Sequence, residues 1–153
     1  MEHKDYELKT LKEVLTSNLK KENDIIFAYL FGSYAKEKPW KESDIDVAVY
    51  LKEDFYKNGL ERKEFFFNRQ LELIEVISEA VKMNQVDLVI LNQAPCTLSY
   101  FVIKEGILLF SRNEADRIKF EVKVIKEYLD YSYYLKKYFK AMSKRIREGR
   151  FGK

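Results

Sequence analysis

Cysteine and histidine are almost missing from this chain, with one of each in 153 residues. A single thiol, Cys96, cannot close an intrachain disulfide. That excludes a disulfide-stapled secreted scaffold and leads to the expectation of a reducing, cytoplasmic address. With no histidine to activate it, Cys96 reads as a small packed residue rather than a nucleophile. The lone histidine, His3, stands at the extreme N-terminus, which argues against a histidine metal cluster and against a Ser-His-Asp triad. Long hydrophobic runs are missing too. None exceeds seven residues, too short for a membrane span or the apolar core of a secretory signal. Five glycines and two prolines leave few breaks, so the elements should be long and the loops short. There is no internal repeat and no low-complexity linker.

What is present fits a globular fold. Apolar residues make up 46% and charged residues 35%, which excludes a largely disordered chain. The length predicts one domain over 1–153 with a true core. Eleven Tyr and eleven Phe exceed what a small core needs, so some aromatics are expected to face a partner. The net charge of +3 is unevenly spread: residues 136–153 hold eight Lys or Arg and one acid, Glu148. A basic end can read as a nucleic-acid contact. The favoured reading is a solvated helix end, where cations suit the C-terminal dipole.

Periodicity gives the order of elements. Leu8, Leu11, Leu15 and Leu19 share one face of a helix over 5–21. The apolar run 25–31, closed by Gly32, reads as a buried strand. Residues 33–42 are polar and hold Pro39, a loop with room for one helical turn. Residues 44–51 alternate and are rich in Val, which makes a second strand. Residues 60–83 form a helix with Phe67, Leu71, Ile74 and Ile77 or Ser78 along one side. A third strand follows over 86–91. A short helix spans 97–104, with Gly106 as its left-handed cap, and 107–110 is a short fourth strand. Asn113 is placed to cap a long helix over 113–148, with Glu114 and Asp116 in its first turn. The fold class is α+β, close to α/β: a small mixed β-sheet flanked by helices.

Three pieces of this chain carry chemistry. Gly32-Ser33 directly follows a buried strand. A glycine there lets the backbone turn sharply, the turn's N–H groups make an anion nest, and Ser33 adds a hydroxyl. Ser43-Asp44-Ile45-Asp46 opens the next strand. Residues two apart on a strand share a face, so Asp44 and Asp46 stand side by side while Ile45 and Val47 point into the core. Such a pair repels itself unless a cation lies between, and carboxylate oxygens suit Mg²⁺. The plainer alternative is that Ser43 and Asp44 cap a turn and Asp46 is solvated. The third piece is Asp87, set among Val, Leu and Ile. It is costly to bury there unless it is paired or bound to a metal. If its strand borders that of Asp46, all three carboxylates can meet at one end of the sheet, as in a two-metal phosphoryl-transfer site.

Gly32-Ser33, ten residues, then Asp44-Ile45-Asp46 resembles the signature of the DNA polymerase β-like nucleotidyltransferase superfamily. The resemblance is to its small stand-alone members, the minimal nucleotidyltransferases of MntA type, and covers most of the chain. It implies that fold, with a long C-terminal helix. It implies that Asp44, Asp46 and Asp87 are catalytic and hold two Mg²⁺ ions, and that Gly32, Ser33, Ser43 and Lys36 bind the nucleotide, with ATP as substrate. It also implies an antitoxin that transfers AMP to a tyrosine of a HEPN ribonuclease toxin. Two other readings remain: an antitoxin that acts by binding alone, and a nucleotidyltransferase acting on a small molecule or an RNA end. Small members often carry Ala-Arg-Gly shortly after Gly-Ser. This chain has Tyr34-Ala35-Lys36-Glu37, so Lys36 offers phosphate a point charge without the arginine fork. The length leaves little room for a second substrate domain, which favours an acceptor on a protein partner. The docking candidate is the last helix, with Phe120, Tyr128, Tyr131, Tyr134, Tyr138 and Phe139 followed by Lys144, Arg145 and Arg147. Phe120, Val124, Tyr128, Tyr131 and Leu135 also fit a core stripe.

Overall fold

The computed structural model describes residues 7–36, 44–53, 59–83 and 85–149. The elements run α1 (Leu8–Leu19), β1 (Ile25–Phe31), α2 (Gly32–Ala35), β2 (Ile45–Leu51), α3 (Gly59–Val81), β3 (Val86–Ile90), α4 (Cys96–Glu105), β4 (Ile107–Ser111) and α5 (Glu114–Arg147). The sheet order is β3-β2-β1-β4. The pairs β1–β2 and β1–β4 are antiparallel, while β2–β3 is parallel. A parallel pair needs a crossover, and α3 supplies it. The result is a mixed four-stranded sheet flanked by helices, with a long helix at the C-terminal side.

Both faces of β1 are covered, which is why its sequence is a continuous apolar run rather than an alternation. Ile25, Ala28 and Leu30 join Ile45, Val47, Val49 and Leu88 under α1 and α3. Phe27, Tyr29 and Phe31 join Ala48, Leu91 and Val102 on the other face, against α4 and α5. Leu11, Leu15 and Leu19 are fully buried, as the leucine spacing predicts.

Arg69 ties α3 to the turn before β1. Its guanidinium donates to Asp24 at 2.9 and 2.7 Å, to Glu22 at 2.8 Å and to Glu72 at 3.0 Å. The hydrogen bond to Asp24 is the main cause of a pKa raised above the usual arginine value.

Four expectations are corrected here. The buried face of α3 carries Phe66, Leu73, Ile77 and Val81, whereas Phe67 is 59% and Leu71 53% exposed. Three consecutive phenylalanines, Phe65 to Phe67, allow two stripes one residue apart, and packing against α1 selects the one through Phe66. Gly106 has φ −81° and ψ 167°, an extended cap rather than a left-handed one. A glycine is needed there for closeness: an added Cβ would overlap the Val102 carbonyl and lie 3.2 Å from the Leu30 oxygen. Asp87 is exposed on an edge strand rather than buried among apolar neighbours. The core stripe on α5 holds at Val124, which is buried, and at half-buried Phe120 and Tyr128. It lapses at Tyr131 and Leu135, which are 47% and 37% exposed. The helix outruns the body it packs on.

Asn113 caps α5 as predicted, its side chain accepting from the Asp116 backbone N–H at 3.1 Å.

Candidate active site

The pairing register assembles the site. Phe31 lies opposite Asp46 across β1–β2, and Asp46 lies opposite Asp87 across β2–β3. Neighbouring strands lie about 4.8 Å apart, so the end of β1, Asp46 and Asp87 form one row across the sheet. The face is settled by alternation. Ile45 and Val47 are buried under α1 and α3, so Asp46 shares the opposite face with Ala48. Asp44 is exposed just before β2 begins, two residues from Asp46.

Gly32 follows the row directly, at the first position of α2, with φ +74°. A Cβ there would overlap the Asp46 carboxylate, whose Cγ would be only 3.0 Å away. Glycine is therefore required twice, by backbone conformation and by the approach of Asp46. Ser33 sits half-buried in the same short turn. Lys36 is exposed, with its ammonium 5.4 Å from the centre of the Phe101 ring on α4. Ser43 lies outside the described residues.

Electrostatics marks Asp46 as the centre of the group. Its pKa is pushed up to about 6, first by burial and then by the charges of Asp87 and Asp44. The three carboxylates thus act on one another across the end of the sheet. A half-buried carboxylate between two others concentrates negative charge, and an all-oxygen donor set suits a hard divalent cation. Among the described residues, no three carboxylates already stand as a closed metal cage.

Sequence reasoning passed over two residues here. Gln85, two positions before Asp87, accepts the Ile45 N–H on its backbone oxygen at 2.9 Å, which locks the start of β2 to the start of β3. Among the described residues its buried side-chain Oε1 has no hydrogen-bond partner. The signal was its spacing of two from Asp87. Phe101 meets Phe31 edge to face at 6.5 Å and so walls the site on the α4 side. No local pattern marks it.

A cavity of about 490 Å³ lies elsewhere, at the opposite end of the sheet. Tyr50, Lys52, Asn92, Cys96, Lys119 and Phe120 are among its lining residues. Tyr50 is four residues along β2 from Asp46, roughly 13 Å at strand rise. Burial, then Glu53 and Asp116, raise the Tyr50 pKa.

This arrangement of glycine turn and carboxylate row agrees with comparison to known proteins. Residues 13–115 match the family described as Polymerase beta, Nucleotidyltransferase. The chain belongs to that family. It is a nucleotidyltransferase, and the match runs from α1 through the carboxylate row to the first turn of α5.

No curated protein matches the chain. Solved structures do. One is a chain from a toxin–antitoxin complex crystallised with AMP-PNP. It is 26% identical with a TM-score of 0.67, and the alignment covers 86% of this chain and 98% of that one. A second comes from a tri-AMPylated Shewanella oneidensis HEPN toxin in complex with an MNT antitoxin, at 24% identity and TM-score 0.64, covering 90% and 99%. A third comes from an MntA–HepT toxin–antitoxin complex, at 24% identity and TM-score 0.62, covering 88% and 98%. The second and third share the fold. No described helix is long and apolar enough to cross a membrane.

Proposed function

We propose that this nucleotidyltransferase is the antitoxin of a toxin–antitoxin pair and transfers AMP from ATP to a tyrosine hydroxyl of a HEPN toxin. The observation that carries the reading is the row formed by Gly32, Asp46 and Asp87, with Asp44 beside it. Supporting it are the similarity to a toxin–antitoxin chain crystallised with AMP-PNP and the fold shared with the MNT antitoxin found with an AMPylated HEPN toxin.

In this reading the turn at Gly32 and Ser33 receives the triphosphate through backbone N–H groups and the serine hydroxyl, and Lys36 and Ser43 add contacts to it. Asp44, Asp46 and Asp87 would hold Mg²⁺, which when bound neutralises phosphate charge and acidifies the attacking hydroxyl. Asp87, the exposed member of the row, orients the acceptor hydroxyl and takes its proton. The hydroxyl oxygen bonds to the α-phosphorus, the bond from that phosphorus to the bridging oxygen breaks, and pyrophosphate leaves. Most of the rate gain comes from positioning and charge compensation.

The test combines purified protein, Mg²⁺, ATP and the product of the adjacent gene, with intact mass read on that partner. A gain of one or more AMP units, absent with chelator and absent in Asp46→Asn, is expected. A stable, silenced complex with no mass gain would leave an antitoxin that acts by binding alone, and the transfer reaction would be refuted.

A further inference from the structure

The first half of α5 has two apolar stripes, and the body uses only one. Phe120, Val124 and Tyr128 face inward: Phe120 contacts Phe27 and Tyr50, and Tyr128 stacks on Tyr100 with ring centres 3.8 Å apart. The other stripe is Ile118, Val122, Ile125 and Leu129, which are 52%, 59%, 38% and 58% exposed. At 100° per residue it lies about 130° round the helix from the first. Its spacing of four, three and four residues is that of a coiled-coil seam, with Ile118 and Ile125 at d positions and Val122 and Leu129 at a positions. Ser132 and Lys136 take the next d and a positions, so the seam ends at Leu129.

The two edges of the seam decide what covers it. In this register Glu114 and Glu121 are g residues, and Lys119 and Lys126 are e residues. Glu114, Lys119 and Lys126 are exposed. The Tyr29 hydroxyl and Arg117 hold Glu121 at its edge, and both donate to Oε1, which leaves Oε2 for a further donor. In a parallel pair of helices each g residue meets the e residue of the following heptad on the other helix. Glu114 then meets Lys119 of a second copy, Glu121 meets Lys126 of that copy, and two-fold symmetry repeats both contacts. In an antiparallel pair g meets g and e meets e, which sets Glu against Glu and Lys against Lys and disfavours that arrangement.

We propose that this seam joins two copies of the chain as a parallel, in-register pair about a two-fold axis along α5. One surface supplies both halves of the interface, as an isologous contact requires. Two heptads bury little area, so the association is weak and depends on concentration. The seam involves no residue of the carboxylate row, so the pairing does not rest on the transfer reaction. It also differs from the aromatic end of the helix, which the sequence alone marks as a docking candidate.

Sedimentation equilibrium of the full-length protein tests the pairing. Wild type should pass from monomer to dimer as concentration rises. Val122→Glu with Leu129→Glu should stay monomeric, and Lys119→Glu with Lys126→Glu should weaken association at least tenfold. Both double variants should keep the wild-type melting temperature in dilute solution, since all four positions are exposed. Asp46→Asn should associate as wild type does. Orientation is read by cross-linking with diamide in a Cys96→Ser background. Ile118→Cys alone and Leu129→Cys alone should each give disulfide-linked dimers, because only a parallel register brings like positions together at both ends of the seam. A wild-type chain that stays monomeric over its soluble range would overturn the proposal, as would a dimer unaffected by Val122→Glu/Leu129→Glu. Cross-linking only when the two cysteine variants are mixed would show antiparallel helices and refute the charge register.

Discussion

Gly32 and Asp46 constrain each other at the level of single residues. Gly32 occupies left-handed backbone space, and the Asp46 carboxylate fills the volume its side chain would need. In Gly32→Ala the backbone strain alone costs roughly 1–2 kcal/mol, and the methyl must displace Asp46 as well. Urea unfolding should show at least that loss, and nucleotidyl transfer should fall with it. Wild-type stability in this variant would mean the turn has another conformation open to it. Asp46 makes a second prediction, through its proton. Its folded pKa of about 6 lies above the ordinary aspartate value of 3.8. The folded state therefore holds a proton that the unfolded state has already released, and it gains stability from that proton below about pH 4. The gain is lost as pH rises through 6. With metal chelated, Asp46→Asn should match wild type near pH 4 and become progressively more stable than it by pH 7. A difference that is flat in pH would mean that neither burial nor the charges of Asp87 and Asp44 raise the Asp46 pKa.

Among the elements, α3 tests how packing chooses between equivalent sequence patterns. Phe66→Ala empties a fully buried site and should cost about 3–5 kcal/mol. Phe67→Ala removes a ring that is 59% exposed and should stay within about 0.5 kcal/mol of wild type. Paired denaturation curves decide it, and a larger loss at Phe67 would restore the stripe that periodicity suggests. The same contrast explains what the sequence could reveal. β1 is legible to the residue, Ile25–Phe31, because an apolar run stopped by glycine has one reading. Asn113 is legible because its capping chemistry is local. Gly32, Asp44 and Asp46 are legible through spacing along the chain. The pairing of Asp46 with Asp87 is not, since a parallel register depends on how α3 crosses the sheet. The exposure of Asp87 follows from β3 lying at an edge, which no pattern within β3 encodes. Gly106 looks like any helix-ending glycine until the Val102 and Leu30 carbonyls approach it.

On the scale of the whole molecule, α5 starts on the packed body and ends as an exposed helix of different character. Val124 is its buried residue, and in its outer half Tyr133, Tyr134, Tyr138, Phe139 and Ile146 are each more than half exposed. Residues 136–153 carry eight basic residues and one acid, while residues 1–135 hold 20 basic and 24 acidic residues, a net charge of −4. The sheet, both hydrophobic clusters and the carboxylate row lie within those first 135 residues. A chain ending at Leu135 should therefore melt within about 3 °C of the full-length protein, less than the shift that about 1 kcal/mol brings at this size. It should also lose retention on an anionic column, because a negative body is left without its positive arm. Calorimetry and salt elution read the two effects separately. A large drop in melting temperature would mean that the arm folds back on the body. Retention that survives truncation would place the basic surface on the cavity side of the sheet, where Lys52, Lys119 and Lys123 converge.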